Sequence, residues 1–164
     1  MRILGIDPGT ARLGYAILEV EGDPVAVDYG IVETSSATDM AHRLLDVHDS
    51  LRALIAEFGP DVMAVEQLFF ARNVTTALTV GQARGVSMLA AAQAGMAVVE
   101  YTPAQVKQAV AGYGKADKNQ IQQMVQILLG LEHPPTPDDA ADALAIALCH
   151  AQSHAFLDRV SRNR

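Results

Sequence analysis

Cysteine, tryptophan and positive charge are all scarce in this 164-residue chain, and each scarcity removes a class of explanation. Cys149 is the only cysteine, so no intrachain disulfide can form and no CxxC or Cys/His spacing exists to hold zinc. It reads as a packing residue in a helix-like apolar stretch. Long apolar runs are missing too. The first residues, Met1 to Asp7, lack the apolar length of a secretory signal, and the stretch from Leu78 to Val99 is broken by Gln82, Arg84 and Gln93. The expectation is a cytoplasmic protein with no membrane span. No internal repeat, low-complexity segment or interdomain linker is visible. Half of the residues are hydrophobic, enough for one core, so residues 1–164 are expected to form a single domain.

Only 12 Lys and Arg face 19 Asp and Glu, a formal net charge of −7, which argues against nucleic acid as a partner because binding rests on neutralising phosphates. The distribution reverses that argument. From Gln67 to Leu131 the chain carries Arg72, Arg84, Lys107, Lys115 and Lys118 against only Glu100 and Asp117, a local balance of +3. A basic face and a solvated mixed surface both fit five charges over that length.

The pattern along the chain alternates strand and helix signals. Arg2 to Asp7 reads as a short strand closed by Pro8-Gly9, Leu13 to Val20 as a second, and Val25 to Val32, after the Asp23-Pro24 turn, as a third antiparallel one. Met40, Leu44, Leu45, Val47, Leu51, Leu54, Ile55 and Phe58 follow helical spacing from Asp39 to Phe58, where Gly59-Pro60 stops the helix. A parallel strand from Val62 to Glu66, a small-residue-rich helix from Asn73 to Ala94 and a strand from Met96 to Tyr101 follow. Three helices close the chain, Pro103 to Val110, Lys118 to Leu129, and Pro137 to the tail. Three antiparallel strands followed by helix, strand, helix, strand and helices predict an α/β fold with a mixed five-stranded sheet flanked by helices, the order of an RNase H-like fold.

Against that frame, three acidic sites stand out. Asp7 ends the apolar run Ile3-Leu4-Gly5-Ile6, Glu66 ends Val62-Met63-Ala64-Val65, and Asp138-Asp139-Ala140-Ala141-Asp142 opens the last helix. Asp7 before Pro-Gly has an ordinary turn reading, whereas Glu66 is a poor strand former at the end of an expected central strand. Asp138 suits a helix start, following Thr136-Pro137 and complementing the helix dipole. Asp142 lies a turn further in, among alanines, where that explanation fades. Spacing lets it share a face with Asp138 or with Asp139 and does not choose between them. Carboxylates gathered at one edge repel each other unless a divalent cation holds them together, so the pattern points to a hard-metal site.

With these pieces in order, the chain resembles the RuvC family of Holliday junction resolvases nearly end to end. The residues that carry the resemblance are Leu4-Gly5-Ile6-Asp7-Pro8-Gly9, Ala64-Val65-Glu66-Gln67 with Phe69, Gly81 to Val86, Gln105-Val106-Lys107-Gln108, and Asp139 to Ala145. The first alone is weak, since actin-like ATPases and sugar kinases also open on a glycine-flanked Asp. The ordered set is specific.

The resemblance implies a catalytic and metal-binding tetrad of Asp7, Glu66, Asp139 and Asp142, with Asp138 left out. Some relatives have His at the position of Asp139, and an aspartate there makes the site fully carboxylate. That set suits two Mg²⁺ or Mn²⁺ ions and phosphodiester hydrolysis by a two-metal mechanism, leaving 5′-phosphate and 3′-hydroxyl ends. Further implied are DNA contacts through Lys107 and Lys118, base stacking by Phe69, and weaker backbone contacts at Arg72, Arg84 and Lys115. Phe70 reads as core packing. A four-way junction has near two-fold symmetry, which favours a homodimer, and family members act with the RuvA and RuvB proteins. The expected function is a metal-dependent endonuclease that resolves Holliday junctions in DNA recombination and repair. Two alternatives compete with it: a non-catalytic four-way-junction binding module, and an actin-like phosphotransferase, for which 164 residues leave little room for two lobes.

Overall fold

The computed structural model of the chain describes residues 1–68 and 74–162, with side chains as far as Phe156. Strands β1 (Arg2–Asp7), β2 (Arg12–Val20) and β3 (Pro24–Glu33) form the opening meander. Helix α1 (Met40–Phe58) leads to β4 (Val62–Glu66), α2 (Val74–Gln93) and β5 (Ala97–Tyr101). Helices α3 (Pro103–Ala111), α4 (Lys118–Leu129) and α5 (Asp138–Arg162) complete the order. The sheet runs β3-β2-β1-β4-β5, with β2 antiparallel to its neighbours β1 and β3, and β1, β4 and β5 mutually parallel. Among the described residues no helix is long and apolar enough to cross a membrane.

Local chemistry sets the boundaries. Asp39 caps α1 by accepting from the His42 N–H, and Gly59 closes it in the left-handed conformation with φ 55°. Thr102 with Gln105, and Asp117 with Gln120, form reciprocal capping boxes that start α3 and α4, and Pro103 stands in the first turn of α3. The last helix differs from expectation by one residue. Pro137 lies just ahead of it and lends its carbonyl to the Ala140 and Ala141 N–H groups, so the first helical residue is Asp138.

Because strand side chains alternate, the sheet divides the core into two layers. Leu4, Ile6, Leu13, Ile17, Met63 and Val65 face α1 and α2, where Val47, Leu51, Ala90 and Ala91 cover them. Ile3, Ala16, Leu18, Val62 and Ala64 face the other way, against α3, α4 and α5. The same period of two puts Asp7, two residues after Gly5, and Glu66, two after Ala64, on the α5 face.

Helix α5 is buried along most of its described length, from Ala140 to Ala151. It lies closer to the sheet than a helix facing side chains could. A Cβ on Gly5 would overlap the Ala143 carbonyl oxygen and the Ala147 methyl, and one on Gly14 would overlap the Asp139 carbonyl. The seam is therefore backbone against backbone, with alanines filling what remains. Cys149 lies in this layer, and burial pushes its thiol up to about 11, in keeping with a packing role.

A methyl group added to this seam tests it directly. Gly14→Ala is expected to lower stability by about 1–3 kcal/mol in a urea or thermal melt and to move the start of α5. An unchanged melting temperature contradicts the tight seam.

Candidate active site

Five elements deliver charged side chains to one cleft. β1 and β4 end side by side, their last paired residues being Ile6 and Val65, and each adds one acid beyond that pair, Asp7 and Glu66. The first turns of α5 lie across them because Gly5 and Gly14 admit its backbone, which brings Asp139 and Asp142 to the same edge. A cavity of about 230 Å³ opens there, lined by Asp7, Glu66, Asp142, Lys107 and Lys118 over an apolar floor that includes Val106 and Ile121. Lys107 comes from the middle of α3, and Lys118 is the first residue of α4 after its Asp117 cap.

The acids disturb one another. Burial, then the charges of Asp142, Glu66 and Asp139, push Asp7 from its ordinary 3.8 up to about 8, against a smaller opposing pull from Lys118. Glu66 is raised by burial and by Asp142, with Lys107 pulling the other way. Asp142 is raised chiefly by burial, although Lys118 lies beside it. Lys118 bridges two acids, with Nζ 3.1 Å from Asp138 Oδ2 and 3.3 Å from Asp142 Oδ2. Asp138 also accepts from Gln122 Nε2 at 2.9 Å. Asp139 does not line the cavity. It stands on the far side of the cluster, within 3.8 Å of Arg12 Nη1.

Among the described residues, no three His, Cys, Asp or Glu side chains are close enough to form a closed ligand cage as they stand. Mutually repelling carboxylates with only partial neutralisation spread in this way. The donor set still fits a hard divalent cation: it is all oxygen, it carries more negative charge than Lys107 and Lys118 balance, and burial makes each ionised carboxylate costly until a cation arrives.

The remaining expected residues divide. Lys115 is exposed on the loop between α3 and α4, open to a partner. Phe69, Phe70 and Arg72 lie outside the described residues. Arg84 departs from expectation. It lies on the α1 and α2 face, paired with Glu100 at 2.7 Å and donating to the Glu66 carbonyl, an intrachain role that the sequence did not suggest. Sequence reasoning passed over Arg12, which carried no periodic signal in its turn, and saw Asp138 only as a helix-start residue. It is in the first turn as expected, and it is also the partner of Lys118 and Gln122.

The raised acids carry a testable sign. Asp7 holds its proton in the folded protein up to about pH 8 but releases it near 3.8 when unfolded, so metal-free stability declines as pH rises through that window. The melting temperature in EDTA should fall between those pH values. Asp7→Asn should melt higher than wild type at pH 8 and gain less from saturating Mn²⁺. Identical pH profiles for the two proteins contradict this electrostatic picture.

Comparison with known proteins places the chain in a family. The family model described as "Crossover junction endodeoxyribonuclease RuvC" matches residues 3–150. The protein of that name from Desulfitobacterium hafniense (strain DSM 10664 / DCB-2) is 60% identical over 161 residues, covering 98% of both chains. Its namesake from Heliobacterium modesticaldum is 60% identical over 154 residues, covering 93% of this chain and 95% of the other. A solved structure titled "T. thermophilus RuvC in complex with Holliday junction substrate" superimposes with a TM-score of 0.91 at 39% identity, covering 95% of this chain and 96% of that one. A family model over residues 3–150 and relatives 60% identical over nearly the whole chain lead to one conclusion: the chain belongs to the RuvC family of crossover junction endodeoxyribonucleases.

Proposed function

We propose that this protein is a metal-dependent, structure-selective endonuclease that resolves Holliday junctions. It nicks two opposing strands and leaves 5′-phosphate and 3′-hydroxyl ends during DNA recombination and repair. The observation that carries the reading is a single cleft in which carboxylates that resist ionising together share space with two lysines. Acids in that condition await a cation, and lysines beside them await a phosphate. The substrate is supported by family membership and by the solved complex of the Thermus thermophilus relative with Holliday junction substrate.

In this reading Asp7, Glu66, Asp139 and Asp142 hold two Mg²⁺ ions, for which Mn²⁺ substitutes, oxygen donors being suited to both. When bound, such ions act as Lewis acids that make water a better nucleophile and offset charge on the departing 3′ oxygen. No side chain needs to form a covalent intermediate. Lys107, whose charge acts on Glu66, and Lys118, bonded to Asp142, offer ammonium donors to the phosphate oxygens of the scissile strand and hold it in the cleft. Asp138 gives Lys118 a second anchor outside the tetrad. Phe69 stacks on a base near the junction centre, and Arg72 and Lys115 contact the DNA backbone. The symmetry of the junction calls for a homodimer, acting in the cytoplasm with the RuvA and RuvB branch-migration proteins.

Incubation of a mobile four-way junction with Mg²⁺ or Mn²⁺ tests this. Paired nicks on opposing strands should form and should vanish with EDTA. Asp7→Asn should slow cleavage by about 10²–10³-fold while junction binding persists. Binding without nicks under either metal indicates a binding module, and equal cleavage of linear duplex refutes the selectivity. A second comparison separates the paired acids of α5. Asp139→Asn should lose cleavage like Asp7→Asn, whereas Asp138→Asn, which breaks an exposed ion pair worth about 0–1 kcal/mol, should stay within about fivefold of wild type. Equal loss in both variants contradicts the assignment.

A further inference from the structure

We infer that Arg84 is a positioning residue for Glu66, acting from the opposite face of the sheet; the inference rests on the reading of Glu66 as a metal ligand. Glu66 is the last residue of β4, one beyond the final β1–β4 pair of Ile6 and Val65. Its carboxylate must point steadily into the cleft, yet the ladder that would fix its backbone on the β1 side has ended.

The peptide unit joining Glu66 to Gln67 is pinned at both ends. Its N–H, belonging to Gln67, donates to the Tyr101 carbonyl of β5 at 2.8 Å. Its C=O, belonging to Glu66, accepts from Arg84 Nε at 3.3 Å. A peptide unit is planar, so fixing both groups fixes the plane that follows Glu66, and together with the β4–β5 pairing of Val65 and Glu66 it restricts the direction in which the Glu66 side chain leaves the strand.

The guanidinium is itself held. Nη2 of Arg84 lies 2.7 Å from Glu100 Oε2, and the Arg84 side chain is only 18% exposed. Glu100 pairs with Val65 in the β4–β5 register, and Val65 belongs to the layer facing α1 and α2. Arg84 therefore reaches the Glu66 carbonyl from α2, while the Glu66 carboxylate opens on the other face. The planar fork of arginine lets one side chain serve an acid and a carbonyl at the same time, which an ammonium does less well. Both interactions of Arg84 are made within the chain, to Glu100 and to the Glu66 carbonyl.

Arg84→Gln and Arg84→Lys separate this role from DNA contact in the full-length protein. The double variant Arg84→Gln/Glu100→Gln removes both charges, so no carboxylate is left unpaired. Positioning predicts that all three raise, by about tenfold, the Mn²⁺ concentration needed for a given rise in melting temperature, and slow single-turnover cleavage by a similar factor. Junction affinity in EDTA and its dependence on salt should match wild type. A weakened affinity with a salt slope reduced by about one, and an unchanged response to Mn²⁺, makes Arg84 a DNA contact and overturns the inference. Wild-type behaviour of the double variant or of Arg84→Lys overturns it as well. Glu66→Gln serves as the control. If it keeps both cleavage and the Mn²⁺ response, the ligand role of Glu66 fails, whatever Arg84 does; if it loses both while the Arg84 variants behave as wild type, only the positioning role fails.

Discussion

The close approach of α5 to the centre of the sheet is the constraint on which the rest of this structure depends. Gly5 and Gly14 remove the side chains that would hold the helix away, and the alanines at 140, 141, 143, 145 and 147 let the stretch from Ala140 to Ala151 settle with little exposed surface. Any larger residue at these points would move the first turn of α5 outward, and Asp139 and Asp142 with it. The apolar stretch that makes α5 a core helix thus also sets the position of half the acidic cluster. Packing and chemistry are the same contact.

That arrangement works against itself electrostatically. A carboxylate raised to about pH 8 by burial and by like-charged neighbours is a local penalty on the folded state, offset by the burial of α5 and by the layer of Ile3, Ala16, Leu18 and Val62 beneath it. Cations on the rim share the load. Lys118 lies between Asp138 and Asp142, and Arg12 stands near Asp139. These are partial, exposed neutralisers, able to leave their acids to a metal ion and turn to a phosphate instead. The net charge of −7 has the same origin, since without the four proposed ligands the formal charge is −3. An acidic protein can therefore belong to a DNA-cutting family without a broadly basic surface.

Much of this was legible in the sequence because it rests on short-range rules. Short apolar runs put Asp7 and Glu66 at strand ends, and proline, glycine and capping residues marked most helix boundaries within a residue or two. The Leu4–Gly9 motif alone was ambiguous, and only the ordered set of motifs pointed to the RuvC family. Tertiary contacts stayed hidden. Arg84 reads as an available cation in a helix, and nothing local says that Glu100, on a strand beside it, neutralises it. Gly14 looks like an ordinary strand glycine until the Asp139 carbonyl is laid against it. The choice between Asp138 and Asp139 came from resemblance, because both spacings put an acid beside Asp142.

A crystal of the protein soaked in Mn²⁺, examined by anomalous scattering at the cleft between β1, β4 and α5, tests the central claim most directly. The account predicts two anomalous peaks, ligated among them by Asp7, Glu66, Asp139 and Asp142, with the Lys118 bond to Asp142 broken and its bond to Asp138 retained. Peaks bound by Asp138 in place of Asp139, or a cleft without Mn²⁺ in which Lys118 still bridges Asp138 and Asp142, would contradict it.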